Sequence, residues 1–191
     1  MQNKIEILDE KILSDKKYRL KEVHFTVNNG EKQQKEVYMR PDCVSVLLYN
    51  KEHQTVVLTR QLRLPTYLNG NNDGMLTECC AGVIDQGETP VQCVLRECME
   101  ETGYQLDQVD KIAEAYTSPA SVEEKIHLFL APYHAGMKTG KGGGLAEENE
   151  HIEILEMPFT EAFAMIGNGN IRDAKTFILL QHLKLSGLMD S

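Results

Sequence analysis

Between residues 82 and 104 the chain reads GVIDQGETPVQCVLRECMEETGY. Two glycines, four glutamates and one arginine stand there at set distances: Gly82, Glu88, Arg96, Glu97, Glu100, Glu101 and Gly103. With this chain's composition, chance would produce those seven residues at roughly two in 10⁸ starting positions. A helix turns about 100° per residue, so Glu97 and Glu101 sit about 40° apart on one face, and Glu100 about 60° from Glu97 on the other side. Like charges at these spacings destabilise a helix by roughly 0.2–0.5 kcal/mol per pair, so something should offset the repulsion. Clustered hard oxygen ligands without Cys or His suit Mg²⁺ or Mn²⁺. Arg96 can orient Glu100 or Glu88 through charge-assisted hydrogen bonds. The bland alternative is a Glu-rich helix face with solvated charges.

The elements that would position this patch are legible around it. Thr89 is an N-cap candidate, Pro90 sits at N1, Gln92 completes a capping box and Gly103 suits the C-terminal stop, which predicts a helix over 89–103. Val91, Val94, Leu95, Cys98 and Thr102 fall on one face that docks on a sheet, with the three carboxylates turned away from it. Upstream, CVSVLLYN and TVVLTRQ are short, β-rich and mostly apolar, as buried strands are. NGNNDG at 69–74 is a turn, and MLTECCAG reads as one further strand ending on Gly82. Downstream come KIAEAYT, a Ser118–Pro119 corner, the strand KIHLFLAPY, a mobile loop over 134–144, an acidic cluster at Glu147, Glu148 and Glu150, the strand HIEILEMPF, a short helix TEAFAMIGNG and a terminal amphipathic helix AKTFILLQHLKL. Residues 4 to 40 read as strands, with a turn at NNGE. That N-terminal piece is too thin to hold a core of its own and should lean on the rest of the chain or on a second copy.

Composition bounds the function. The 191 residues suit one domain, or one domain with an appendage, large enough to fold without disulfides or a structural metal. The net charge of −9 argues against a nucleic-acid binder held by a general basic surface, but not against a small anionic substrate, because a bound divalent cation reverses the local field. The first residues show no signal peptide, and the apolar runs are too short for a membrane span. Five cysteines, at 43, 79, 80, 93 and 98, form no CxxC pair; reduced thiols in the cytoplasm are the simplest account. Cys79 and Cys80 should pack in the sheet, and His127 should be a core histidine. GMKTGKGGG lacks the Ser or Thr after Gly-Lys that a phosphate-binding P-loop needs.

The 82–104 stretch matches the Nudix box, and the chain resembles Nudix hydrolases over nearly its whole length. The resemblance implies an α/β fold: a Nudix α/β/α sandwich with a mixed sheet over 41–191, preceded over 1–40 by a small N-terminal antiparallel β unit that helps build a homodimer. The proline in TSPASVEE, 15 residues after Tyr104, resembles the Ser-Pro corner of the nucleoside-diphosphate-sugar branch, with Ala120 where Gly is more usual. KEVY, RQLRLPTYLNGN, GGGLAEENEHIEILEMPF and IRDAKT together resemble the bacterial GDP-mannose pyrophosphatase subfamily. That likeness implies Mg²⁺-dependent hydrolysis of GDP-mannose to GMP and mannose 1-phosphate, with Mn²⁺ as a second metal choice.

The resemblance also distributes roles. It gives the Ala81 carbonyl, Glu97, Glu101 and Glu150 to the metal, and Glu148 to the general base, with Arg96, Glu100 and Glu101 in the catalytic set. The backbone at Ala81, Gly82 and Val83 would meet substrate. Arg63 and Lys175 are candidates to grip phosphate; taken alone, each is a plain surface cation. Glu124, after the Ser-Pro corner, is another base or sugar contact. Tyr18, Lys35 and Glu36 would contact the nucleotide, within the chain or across a dimer. Two competing readings stay open: the same chemistry on ADP-ribose or an ADP-sugar, and a Nudix-like domain that binds a nucleotide sugar and regulates a partner without cleaving it.

Overall fold

A computed structural model describes residues 3–148 and 150–190, with the Glu148 side chain outside the described residues. The chain divides into two compact units, the stretch up to Asp42 with Ala115–Ile126, and Cys43–Glu114 with His127 onward.

The first unit is a three-stranded antiparallel sheet of β1 (Ile5–Asp15), β2 (Arg19–Val27) and β3 (Gln33–Met39). Asn28 and Asn29 close the β2–β3 turn at φ 53° and 57°, a left-handed conformation that asparagine tolerates. Within this unit the Tyr38 N–H donates to the Ser121 carbonyl at 2.7 Å, tying β3 to the 115–126 segment. β1 leaves Ile5, Ile7, Leu8, Ile12 and Leu13 exposed.

The second unit is built on a seven-stranded mixed sheet. It contains β4 (Cys43–Asn50), β5 (Thr55–Leu62), β6 (Met75–Glu78), β7 (Cys80–Val83), β8 (Asp110–Tyr116), β9 (Lys125–Pro132) and β10 (Glu153–Pro158) in the order β10-β5-β4-β9-β8, with β6 on β5 and β7 on β4. The helices are α1 (Leu64–Leu68), α2 (Pro90–Thr102), α3 (Phe159–Gly167) and α4 (Ala174–Leu185). Helix α2 packs on β4, β5 and β7, α3 on β5 and β10, and α4 on β4. Val44, Val46 and Leu48 of β4 form a core with Cys93, Val94 and Cys98 of α2 and Phe129 of β9. No helix among the described residues is long and apolar enough to cross a membrane. All five cysteines are free thiols; Cys79 and Cys80 are both buried, Cys80 in the sheet as expected and Cys79 at the break between β6 and β7. His127 is buried too, its Nδ1 3.4 Å from a Glu114 carboxylate oxygen.

Helix α2 is capped as the sequence predicts. Thr89 Oγ1 accepts from the Gln92 N–H, the Gln92 side chain accepts from the Thr89 N–H, and Gly103 stops the helix at φ 74°. Its buried face is rotated from the expected stripe: Cys93 joins the core, while Val91, in the first turn, is exposed.

Two further expectations are corrected, and a segment for which the sequence analysis gave no element proves helical. MLTECCAG is two strands, because Cys79 leaves the ladder and its N–H donates to Thr176 Oγ1 at 2.7 Å, so that β6 pairs with β5 and β7 with β4. RLPTYLN encloses the short helix α1 between β5 and β6. The 134–144 segment is tied down rather than loose. Its Thr139 and Gly140 N–H groups donate to the Gly103 carbonyl, and Gly143 and Gly144 donate to the carbonyls of Glu101 and Glu100 at 2.8 and 3.1 Å. These bonds satisfy carbonyls at the α2 C-terminus that a helix leaves unpaired. A Cβ at Gly142 would lie 2.6 Å from the Thr102 carbonyl carbon, so the close approach requires glycine.

Candidate active site

Arg96 is the hub of the box. Its Nε and Nη2 donate to the two oxygens of Glu88 at 3.0 and 2.9 Å, a side-on fork. Its Nη1 donates to Glu97 Oε1 at 2.8 Å and to Glu100 Oε2 at 3.0 Å. Nη2 also reaches the Val83 carbonyl at 3.3 Å, so that backbone oxygen serves the arginine. The fork holds Glu88 well below the usual carboxylate range, at about 2, with burial working in the opposite direction. Glu88 in return holds the guanidinium charged, above its ordinary value and against the pull of burial.

The metal candidates behave differently. Burial lifts the Glu97 carboxyl to about 7; Arg96 opposes the rise, and the charges of Glu100 and Glu150 add to it. Glu101 is 2% exposed, so the three carboxylates do not form a single solvent-facing patch as expected. The α2 C-terminus lies against β7 and under the glycine loop. The Ala81 N–H donates to Glu101 Oε2 at 3.1 Å. Burial lifts the Glu101 carboxyl to about 8; the Cys80 thiol and the Ala81 N–H pull it down, and Glu97 and Glu150 push it up.

Gly82 lies directly against Glu97, leaving no room for a side chain. Glu150 reaches the cluster from the loop, where its Oε2 accepts from the Leu145 N–H at 3.3 Å, and its charge is felt by both Glu97 and Glu101. The structure thus brings Ala81, Gly82, Glu97, Glu101 and Glu150 together. Among the described residues no three acidic, His or Cys side chains already converge on one metal-sized point, because Arg96 draws Glu97 and Glu100 to itself while Glu101 turns to Ala81. The donor set is nevertheless all hard oxygen, which fits a Mg²⁺-type ion. The general-base candidate Glu148 has its side chain outside the described residues.

Arg63 and Lys175 are not loose surface cations. Both bind Glu78, a carboxylate at the end of β6 with a 4% exposed side chain. Sequence reasoning missed Glu78: it lies 97 residues from Lys175 and belongs to no motif.

The first unit gathers its own group. Arg40 Nη2 is 3.3 Å from Glu124 Oε1, and the Arg40 guanidinium lies 5.3 Å from the Tyr18 ring centroid. Tyr18 meets Tyr38 edge-on at 6.0 Å. Tyr18 and Arg40 line a cleft of about 450 Å³. Arg40 links two expected site residues, Tyr18 and Glu124, and was itself missed, since a single Arg before Pro41 carries no local signal. Lys35 and Glu36 are exposed on β3, opposite Val23 and Glu22 of β2.

Comparison with known proteins agrees with this geometry. The NUDIX domain model matches residues 39–180. The chain is 48% identical to the GDP-mannose pyrophosphatase of Cronobacter sakazakii, over 97% of this chain and 98% of that one. It is 48% identical to the same-named protein of Yersinia enterocolitica, over 99% and 100%, and 46% identical to that of Salmonella typhimurium, over the full length of both. A crystal structure of an ADP compounds hydrolase superposes with a TM-score of 0.75 at 18% identity, covering 97% of each chain, a likeness of fold. With the box intact, its carboxylates gathered at Gly82 and the match spanning both units, this chain belongs to the Nudix family of hydrolases.

Proposed function

We propose that this chain hydrolyses the diphosphate bond of a nucleotide sugar, with GDP-mannose as the first substrate, giving GMP and mannose 1-phosphate. Near-full-length identity to proteins of that name supports the substrate. The observation that carries the chemistry is the acidic group of buried Glu101 with half-buried Glu97 and Glu150 beside Gly82, where Glu97 is pushed up by burial and the charges of Glu100 and Glu150, and Glu101 by burial and the charges of Glu97 and Glu150. Such a group calls for a cation. Glu97, Glu101, Glu150 and the Ala81 carbonyl would hold Mg²⁺, which when bound neutralises charge on the diphosphate oxygens.

The chain's own residues do the rest. Arg96 fixes Glu97 and Glu100 through its Nη1. Gly82 admits the Glu97 carboxylate against β7. Arg63 and Lys175 grip phosphate oxygens. Glu148 takes the proton from the attacking water, which adds to phosphorus as the bridging oxygen leaves. Tyr18, Lys35, Glu36 and Glu124 contact nucleotide and sugar from the N-terminal unit. The exposed apolar residues of β1 support a homodimer, and five free thiols suit a reducing cytoplasm.

The test is a Mg²⁺ product assay on GDP-mannose and ADP-ribose side by side, with Glu101→Gln as control. GMP release with clear preference for GDP-mannose, lost by orders of magnitude in Glu101→Gln while ligand binding survives, is the expected result. Preference for ADP-ribose would move the substrate to an ADP compound. Tight binding with no turnover would make the chain a regulatory binding module.

A further inference from the structure

Glu78 is a buried anion with two cations on it. Arg63 Nε donates to its Oε2 at 2.9 Å, with Nη2 ion-paired to the same oxygen at 2.7 Å, and Lys175 Nζ donates to its Oε1 at 3.0 Å. Lys175 is also 2.9 Å from Asp173 Oδ1. Asp173 in turn caps α4, its Oδ2 accepting from the Thr176 N–H at 3.0 Å and from Thr176 Oγ1 at 2.6 Å. Thr176 Oγ1 accepts the Cys79 N–H that left the sheet. One chain of bonds therefore joins Arg63 after β5, the β6–β7 break and the N-terminus of α4. Two residues past that break, Ala81 donates its N–H to Glu101.

Burying carboxylates and ammonium together costs several kcal/mol per ion in desolvation, which pairing must return. A hydrophobic trio would stabilise the fold as well. What the charged cluster supplies is orientation. Guanidinium has five N–H donors in a rigid fork. Glu78 engages the Nε and Nη2 side of the guanidinium, which leaves the outer edge of Arg63, on a side chain 39% exposed, as the free donor face. The buried Glu101 carboxylate contributes to the field on Arg63, so that edge stands in the acidic site's field. Lys175, with two acceptors already bound, keeps one N–H.

We propose that Glu78 is a positioning residue. Without touching substrate, it locks Arg63 and Lys175 so that their remaining donors meet the substrate diphosphate. This rests on the nucleotide-sugar reading above.

The test measures GDP binding by calorimetry in EDTA, and GDP-mannose turnover in Mg²⁺, for wild type, Glu78→Gln, Arg63→Ala, Arg63→Lys and the Arg63→Ala/Glu78→Gln double variant. Thermal melts accompany each. Glu78→Gln should weaken GDP binding about tenfold and raise KM more than it lowers kcat. The double variant should bind more weakly than Arg63→Ala but lose clearly less than the product of the two single losses, because Glu78 acts in part through the arginine and in part through Lys175. Arg63→Lys, exposed enough to fold, keeps the charge but gives up the fork, and should fall within threefold of Arg63→Ala; if Glu78→Gln fails to fold, this comparison decides. Wild-type affinity in Glu78→Gln, losses that multiply in the double variant, or an Arg63→Lys equal to wild type would overturn the proposal while the substrate reading stands. A wild-type protein that neither binds GDP nor cleaves GDP-mannose would overturn both.

Discussion

The α-carbon of Gly82 lies against the carboxylate of Glu97, so closely that a β-carbon built on residue 82 would fall inside that carboxylate. The first glycine of the box and its first metal-candidate glutamate are thus one feature: strand β7 can approach α2 at this point only without a side chain. Gly82→Ala must push Glu97 off Arg96 Nη1 and away from Ala81. Displacements of this size cost on the order of 10²-fold in rate. We expect kcat/KM for GDP-mannose to fall by about that factor, with about 1–3 kcal/mol of stability lost to overpacking. An alanine variant with wild-type kinetics would show that Glu97 tolerates the shift.

Arg96 serves Glu88, Glu97 and Glu100 at once, so its removal leaves three acids without their cation. Arg96→Met should lower stability by about 2 kcal/mol, in the range of charged hydrogen bonds left unmade, and activity by more than Glu88→Gln does. Arg96→Lys should not rescue, because an ammonium cannot reproduce the side-on fork to Glu88. Denaturant melts and steady-state kinetics of the three variants check this.

Glu97 at about 7 and Glu101 at about 8 make the metal-free protein sensitive to pH in a defined direction. Both are raised, so in the range between the unfolded value near ~4.3 and the folded values the native state holds protons that the unfolded chain has released. Their contribution is complete below about 4.3 and is lost as pH rises through 7 and 8. Glu88, at about 2, has the opposite sign, but its change lies wholly in acid. The melting temperature in EDTA should therefore drop from pH 5.5 to pH 8.5. Because Mg²⁺ displaces those protons, its stabilising effect should grow over the same interval. A melting temperature in EDTA that rises with pH would contradict the burial of the pair.

Within the N-terminal unit, Arg40 lies over the Tyr18 ring while it holds Glu124. Arg40→Ala should raise KM for GDP-mannose about tenfold with a smaller change in kcat, the pattern of lost uniform binding. A variant with an unchanged KM would remove this group from substrate recognition.

The β1 strand exposes Ile5, Ile7 and Ile12, an apolar edge that a monomer rarely leaves to water. Ile7→Asp/Ile12→Asp should run as a monomer on gel filtration where the wild type runs as a dimer. A wild type at 21.6 kDa would dispose of the dimer.

What was legible in the sequence was local. The α2 helix announced itself through Thr89, Gln92 and Gly103, because capping and helical period act within a few residues, and Glu97, Glu100 and Glu101 followed from that helix. The strands were legible where their apolar runs were continuous, as in CVSVLLYN. Long-range packing decided the rest. Glu101 became buried because β7 and the glycine loop cover the α2 C-terminus, and nothing in the helix itself sets that. Val91 and Cys93 exchanged places because the docking angle of α2, which no helical wheel contains, chose the face. Cys79 broke what reads as one strand because Thr176, far along the chain, took its N–H. Glu78 gathered Arg63 and Lys175 for the same reason: a buried charge finds its counter-ions wherever the fold brings them. Residue types and spacing set the chemistry of this protein, and the tertiary structure set which of its charges are buried, paired and aimed.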